Sequence, residues 1–177
     1  KYSAMRERSV GLGVMGFHSF LQKNSISLGS VMSKVWNNKI FKHIQTKTDH
    51  ASKILANERG ACPDAEEYGF KERFSNKTAI APTASISIIC GGASPGVEPI
   101  AANSYTHKTL SGSYNVRNKY LQKVLEKYKR NDEETWSSIT TNLGSVEHLD
   151  FLSDNEKDVF KTAFELDQKW IIELGAD

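Results

Sequence analysis

The chain is poor in cysteine. Its 177 residues hold only Cys62 and Cys90, with no CxxC pair and no His/Cys cluster at metal-ligand spacing. That excludes a disulfide scaffold, leaves no metal site to assign, and points to a reducing, cytoplasmic setting. Long apolar runs are missing too. The least polar stretch, Ile80–Val97, is interrupted by Pro, Gly, Ser and Thr, so no membrane span is expected. Lys1–Ser9 has no apolar core and cannot serve as a signal peptide. Charge of one sign is also lacking. With 23 basic and 21 acidic residues the net charge is +2, too balanced for direct nucleic-acid binding. The basic run Lys119–Arg130 is interleaved with Leu121, Val124, Leu125 and Tyr128, the pattern of an amphipathic helix with a wet face.

Hydrophobic residues make up 38% and charged residues 25%, enough for one soluble domain with a core. The chain opens without an initiator Met and closes at Leu174–Asp177 just after a helical pattern. It therefore reads as a single segment, 1–177, incomplete at both ends. Apolar spacing predicts a buried helix within Gly11–Gln22 and a long helix from about Ser30 to Arg59, ended by Gly60. Lys77–Ala81 is a short strand candidate, Thr83–Cys90 begins a helix or tight turn, and Gly91–Pro99 is irregular. The last third reads as helical. Lys119–Lys129 has the right period, and Asp132 caps a helix carrying Trp136 and Ile139 that stops near Gly144. Ser153 and Glu156 form a capping box ahead of Val159, Phe160, Ala163, Phe164, Trp170 and Ile171. The fold class is α/β, rich in helix.

Gly11–Gly16 matches the dinucleotide pattern G-x-G-x-x-G but lacks its context. Arg6–Ser9 is a poor preceding strand, and no carboxylate follows until Asp49. The glycines are read as small residues where a helix packs tightly against a neighbour.

From Thr78 to Val97 there is no charged residue, and inside that stretch lies Pro82–Ser87. A helix N-terminus can hold a phosphate with unpaired N–H groups and the macrodipole alone. Small side chains allow close approach, and Thr83, Ser85 and Ser87 can add hydroxyls. Read from the residues alone, the turn either binds phosphate or is only a helix cap with solvated serines.

Ala81–Ser87, Gly91–Gly92 and Gly96–Pro99 together resemble the substrate-phosphate loop and following segment of ribonucleotide reductase large subunits. Arg8–Phe17 resembles the helix entry near the start of the family's second barrel half and Glu58–Pro63 the end of the following helix, while Tyr105–Ser113 and Gly144–Leu149 resemble segments of bacterial and phage members, all in the family's order. The resemblance implies part of a ten-stranded α/β barrel in which a cysteine thiyl radical reduces ribonucleotides. It implies that Thr83, Ala84, Ser85, Ile86 and Ser87 bind the phosphates of a nucleoside diphosphate. Backbone N–H groups and the Thr83 and Ser85 hydroxyls would make the contacts.

The family's radical cysteine sits in Asn-x-Cys-x-Glu. Cys62 is followed by Pro63–Asp64 and Cys90 by Gly91–Gly92, so neither matches, and both are read as structural. No catalytic residue and no cofactor is assigned to this chain, which is expected to be inactive alone. The rest of the large subunit, a radical-generating metal-containing small subunit of class I type, thioredoxin or glutaredoxin, and the effectors ATP and dATP are what the family adds. Glu98 is expected to fix a turn and His107 to lie at the surface. The competing readings are a non-catalytic helical interaction module and an unrelated phosphate-binding protein.

Overall fold

The computed structural model describes Lys1–Ala176. In chain order the elements are helices α1 (Tyr2–Glu7), α2 (Phe17–Lys23), α3 (Val31–Arg59), α4 (Pro63–Glu67) and α5 (Ala84–Ile89), strands β1 (Ser104–Thr109) and β2 (Gly112–Arg117), then helices α6 (Lys119–Lys127), α7 (Glu133–Thr141), α8 (Asp154–Val159) and α9 (Lys169–Ala176). Two compact units form, one from Lys1–Val14 and Val35–Ala81, the other from Met15–Lys34 and Pro82 onward. No described helix is long and apolar enough to cross a membrane.

In the first unit, α3 from Val35 on supplies the longest element, and Arg6 of α1 pairs with Asp64 (2.6 Å) and Glu67 of α4. The buried helix expected within Gly11–Gln22 is α2, which starts at Phe17, after the glycines. Val10–Gly13 instead runs alongside Asn76–Ala79, with Leu12 N–H on the Lys77 carbonyl (3.1 Å) and Ala79 N–H on the Leu12 carbonyl (3.1 Å). The strand candidate Lys77–Ala81 shrinks to one parallel bridge, Leu12 to Thr78. A Cβ at Gly13 would lie 2.7 Å from the Ala79 carbonyl oxygen, so this glycine is required by an approaching extended backbone, not by a helix neighbour. No described strand precedes the glycines: helix α1 ends at Glu7 and only the single bridge at Leu12 pairs there, so the strand a dinucleotide site needs before its glycines is absent.

The second unit holds the main core. Asn118 caps α6 by accepting the Tyr120 N–H (3.0 Å), and Leu121 and Leu125, one turn apart, are fully buried. Asp132 caps α7 by accepting the Thr135 N–H (2.8 Å), placing Trp136 and Ile139 in the same cluster with Val146, Leu149, Leu152, Val159 and Phe160. The Ser153/Glu156 capping box is present in both directions. Its helix ends at Val159, however, and does not run on toward Trp170. The Phe160 carbonyl is taken by the Asn103 side chain (2.7 Å) and the Ala163 N–H by the Ile100 carbonyl (2.8 Å), so the groups needed to extend α8 are bound elsewhere. Ahead of these helices, where no element was expected, lies the antiparallel pair β1–β2, in register from Ser104 opposite Arg117 to Thr109 opposite Gly112, with Leu110 and Ser111 as the loop.

His18 of α2 is buried, its Nδ1 accepting the Ile100 N–H (3.1 Å), and burial pushes its pKa down to about 4. The unfolded imidazole titrates near 6.5, so between these values the unfolded chain binds more protons than the folded one. Stability is therefore complete above about pH 6.5 and declines as pH falls toward 4, by at most about 1.4 kcal/mol per pH unit. Urea titrations across that range should show the slope in the parent chain and a shallower one in His18→Gln.

Candidate functional site

Helix α5 begins at an unusual residue. Thr83 has φ 50, a left-handed conformation that β-branched side chains rarely adopt. Its Oγ1 accepts the N–H of Gly96 (2.7 Å), which ties the start of the helix to the segment that follows it. That segment is stitched in turn to α2, where Ser94 N–H donates to Ser19 Oγ (2.8 Å), Ser19 N–H to Ser94 Oγ (3.1 Å), and Gly16 N–H to the Ser94 carbonyl (2.9 Å). The far end of α5 closes on Gly91 and Gly92, whose N–H groups reach the Ile88 carbonyl from positive φ.

Between these anchors the N–H groups of Ala84, Ser85 and Ile86 donate to nothing among the described residues, as expected for the first turn of a helix. All three residues are exposed. Ser87 differs. Its N–H makes the first helical bond, to the Thr83 carbonyl (2.8 Å), its Oγ donates to the Ala84 carbonyl (2.7 Å), and the residue is buried. The structure thus brings Thr83–Ile86 to the surface as one turn and leaves Ser87 beneath it with both donors engaged. No carboxylate or cation occurs in the loop, and Lys119 reaches only its far end, donating to the Gly91 carbonyl (3.1 Å).

Ala84, Ser87 and Ile88 form one edge of an open cleft of about 920 Å³. Most of its wall is apolar or small, and its floor carries an amide chain that the sequence reading did not single out. Asn118 Nδ2 donates to Gln22 Oε1 (3.0 Å) and to Asn103 Oδ1 (2.8 Å), while Asn103 Nδ2 donates to the carbonyls of Gly144 (3.0 Å) and Phe160 (2.7 Å). Only Arg117 and Glu165 bring charge to the lining. Arg117 is engaged by Glu133 (2.6 Å) and lies over the Trp136 ring. Burial opposes ionisation of Glu165, but hydrogen bonds from Ser145 and Thr162 outweigh it and hold this carboxyl below its ordinary range. The cleft therefore offers shape and main-chain donors, with its side-chain charges already satisfied.

The other candidates lie elsewhere. Glu98 is exposed, with its N–H closing a turn on the Pro95 carbonyl (3.0 Å), and His107 sits on β1 opposite Tyr114. Neither lines the cleft. Cys62 is fully buried beside α4, its N–H on the Glu72 carbonyl (2.9 Å), as a packing role requires. Cys90 departs from the structural reading, because its side chain is exposed at the end of α5.

Comparison with known proteins gives a consistent result. The model of the ribonucleotide reductase barrel domain matches residues 1–72 and 64–177. The chain is 48% identical, over 99% of its length, to the ribonucleoside-diphosphate reductase large subunit of Invertebrate iridescent virus 6, of which it covers 18%. It is 40% identical to the putative large subunit of Frog virus 3, covering 99% of this chain and 30% of that one. Among solved structures, the class Id ribonucleotide reductase alpha subunit of Actinobacillus ureae superposes with a TM-score of 0.89 at 42% identity, over 99% of this chain and 31% of that one. The chain thus spans less than a third of the length of these relatives.

Proposed function

The chain belongs to the ribonucleotide reductase barrel-domain family, and from that premise we propose that it supplies the substrate-phosphate turn for reduction of ribonucleoside diphosphates. The observation that carries this reading is the turn Ala84–Ile86, with three undirected N–H groups, no charged side chain and a cleft beside it. A diphosphate seated there would accept from these N–H groups and from the Ser85 hydroxyl, aided by the helix dipole. The Thr83 oxygen already accepts from Gly96, which leaves its proton free to donate. Ser87 would act by holding the turn and not by direct contact, since its donors are engaged.

The role in catalysis is positioning. Fixing the phosphates fixes the ribose against a radical cysteine, converting binding energy into orientation. Neither cysteine of this chain stands in the Asn-x-Cys-x-Glu context, so the radical chemistry would come from other parts of the large subunit, started by a metal-containing small subunit and renewed by thioredoxin or glutaredoxin. ATP and dATP would act outside this segment, and a cytoplasmic setting fits this chemistry.

Titrating the chain with a nucleoside diphosphate while following backbone amide resonances tests the reading. Shifts centred on Ala84–Ile86 are expected, and none at about millimolar ligand would remove the turn from the active site. In the complete large subunit, Ser85→Asp should raise KM by roughly tenfold or more, because a carboxylate would face the phosphate. An unchanged KM is incompatible with the proposal.

A further inference from the structure

Helix α3 carries charge that the proposed reaction does not use. At 3.6 residues per turn, Lys39, Lys42, His43, His50 and Lys53 fall within an arc of about 100°, with Lys47 at its flank. All six are exposed. From Lys39 to Lys53 the stripe is about 21 Å long, too long for a small anion to engage. None of these lysines forms an ion pair among the described residues, whereas Lys34, Lys77, Lys161 and Lys169 each do. The carboxylate nearest the stripe on the same helix is also withdrawn, because Asp49 is taken by Lys77 (2.7 Å), which lies outside the helix. Four ammonium groups and two imidazoles thus share one face of the helix, and the carboxylate flanking them, Asp49, is already paired.

We propose that this face docks an acidic helical segment of a protein partner, with Glu or Asp recurring at three- and four-residue steps. Two straight helices laid side by side present charges at matching intervals, as charged flanks of paired helices do. The stripe contains no Arg, so it lacks the bidentate fork suited to phosphate. The adjacent ring, Trp36, carries the Lys39 ammonium over one face (4.8 Å), which takes that face away from a stacking base. Both facts favour carboxylates over a nucleic acid.

Fluorescence anisotropy with a labelled peptide carrying Glu at i, i+4 and i+7 provides the test, alongside its Gln counterpart and a single-stranded oligonucleotide. The Glu peptide should bind the 177-residue chain, and binding should disappear at roughly 0.5 M salt. The triple variant Lys39→Glu, Lys42→Glu, Lys53→Glu should lose at least about tenfold in affinity, with circular dichroism showing an intact fold. Reversing Lys23, Lys123 and Lys127 instead, an equal change in net charge, should leave binding within about twofold of the parent. The proposal is overturned by any of four results: no binding of the Glu peptide at about 100 µM, equal binding of the Gln peptide, equal loss in the two triple variants, or tighter binding of the oligonucleotide. Because the stripe lies outside the phosphate turn, none of these results bears on the nucleotide reading.

Discussion

Asn103→Asp is expected to cost on the order of 5 kcal/mol at neutral pH. The native amide is 1% exposed and uses every polar atom it has. Nδ2 donates to the carbonyls of Gly144 and Phe160, Oδ1 accepts from Asn118, and the backbone N–H and carbonyl bond Gly144 and Asn118 as well. A carboxylate would aim a buried negative oxygen at two carbonyl oxygens, replacing two attractions with two repulsions. Asn103→Ala removes the donors without adding charge and should cost about 2–3 kcal/mol, since both carbonyls then lose this partner. Protonation restores one O–H donor, and burial raises the carboxyl's folded pKa above its unfolded value of about 3.9, so the gap between the Asp variant and the parent at the same pH should narrow as pH falls from neutral toward about 4. Urea midpoints of the three chains across pH give the ranking, and equal midpoints for Asp and Asn would mean the amide chain holds nothing.

Gly144→Ala is expected to cost roughly 4 kcal/mol, for two reasons that add. The residue sits at φ +81, where an L side chain is strained. Its Cβ would also lie 2.3 Å from the Ala102 Cβ and 2.7 Å from the Ala102 Cα, and neither atom can swing away as a side-chain tip could. Movement would have to come from the backbone that leads into Asn103. Gly92→Ala separates the two causes. Its φ is +68, yet nothing lies within 4 Å of the added methyl, so it should cost only about 1–2 kcal/mol. Thermal melts of both variants would show the difference, and equal losses would mean that space at Gly144 is not limiting.

What could be read from the residues was local chemistry. Asp132, the Ser153/Glu156 pair and the spacing of Leu121 and Leu125 act within one helical turn, so their partners are adjacent in sequence. Gly144 was legible as a helix stop, but its second duty was not, because Ala102 is 42 positions away. The amide chain escaped notice for the same reason, since Gln22 and Asn118 stand 96 residues apart. The hairpin β1–β2 was invisible on different grounds. Only Ser104 is buried in it, so there is no alternation of apolar and polar residues to detect, and Leu110 and Ser111 are not typical turn residues. At the phosphate turn, the absence of charge from Thr78 to Val97 was plain in the sequence. That Ser87 spends its N–H on Thr83, while Ala84, Ser85 and Ile86 keep theirs, depends on where the helix begins. Sequence placed that start within a residue or two, too coarse to assign individual donors.

The three free N–H groups at the head of α5 belong to the main chain, and one of their residues is already alanine. Conventional scanning mutagenesis would pass over such a grip almost without signal, because truncating a side chain leaves the amide hydrogen in place. Substitutions that delete the hydrogen itself, by proline or by an ester linkage at Ser85 or Ile86, are the changes that would register.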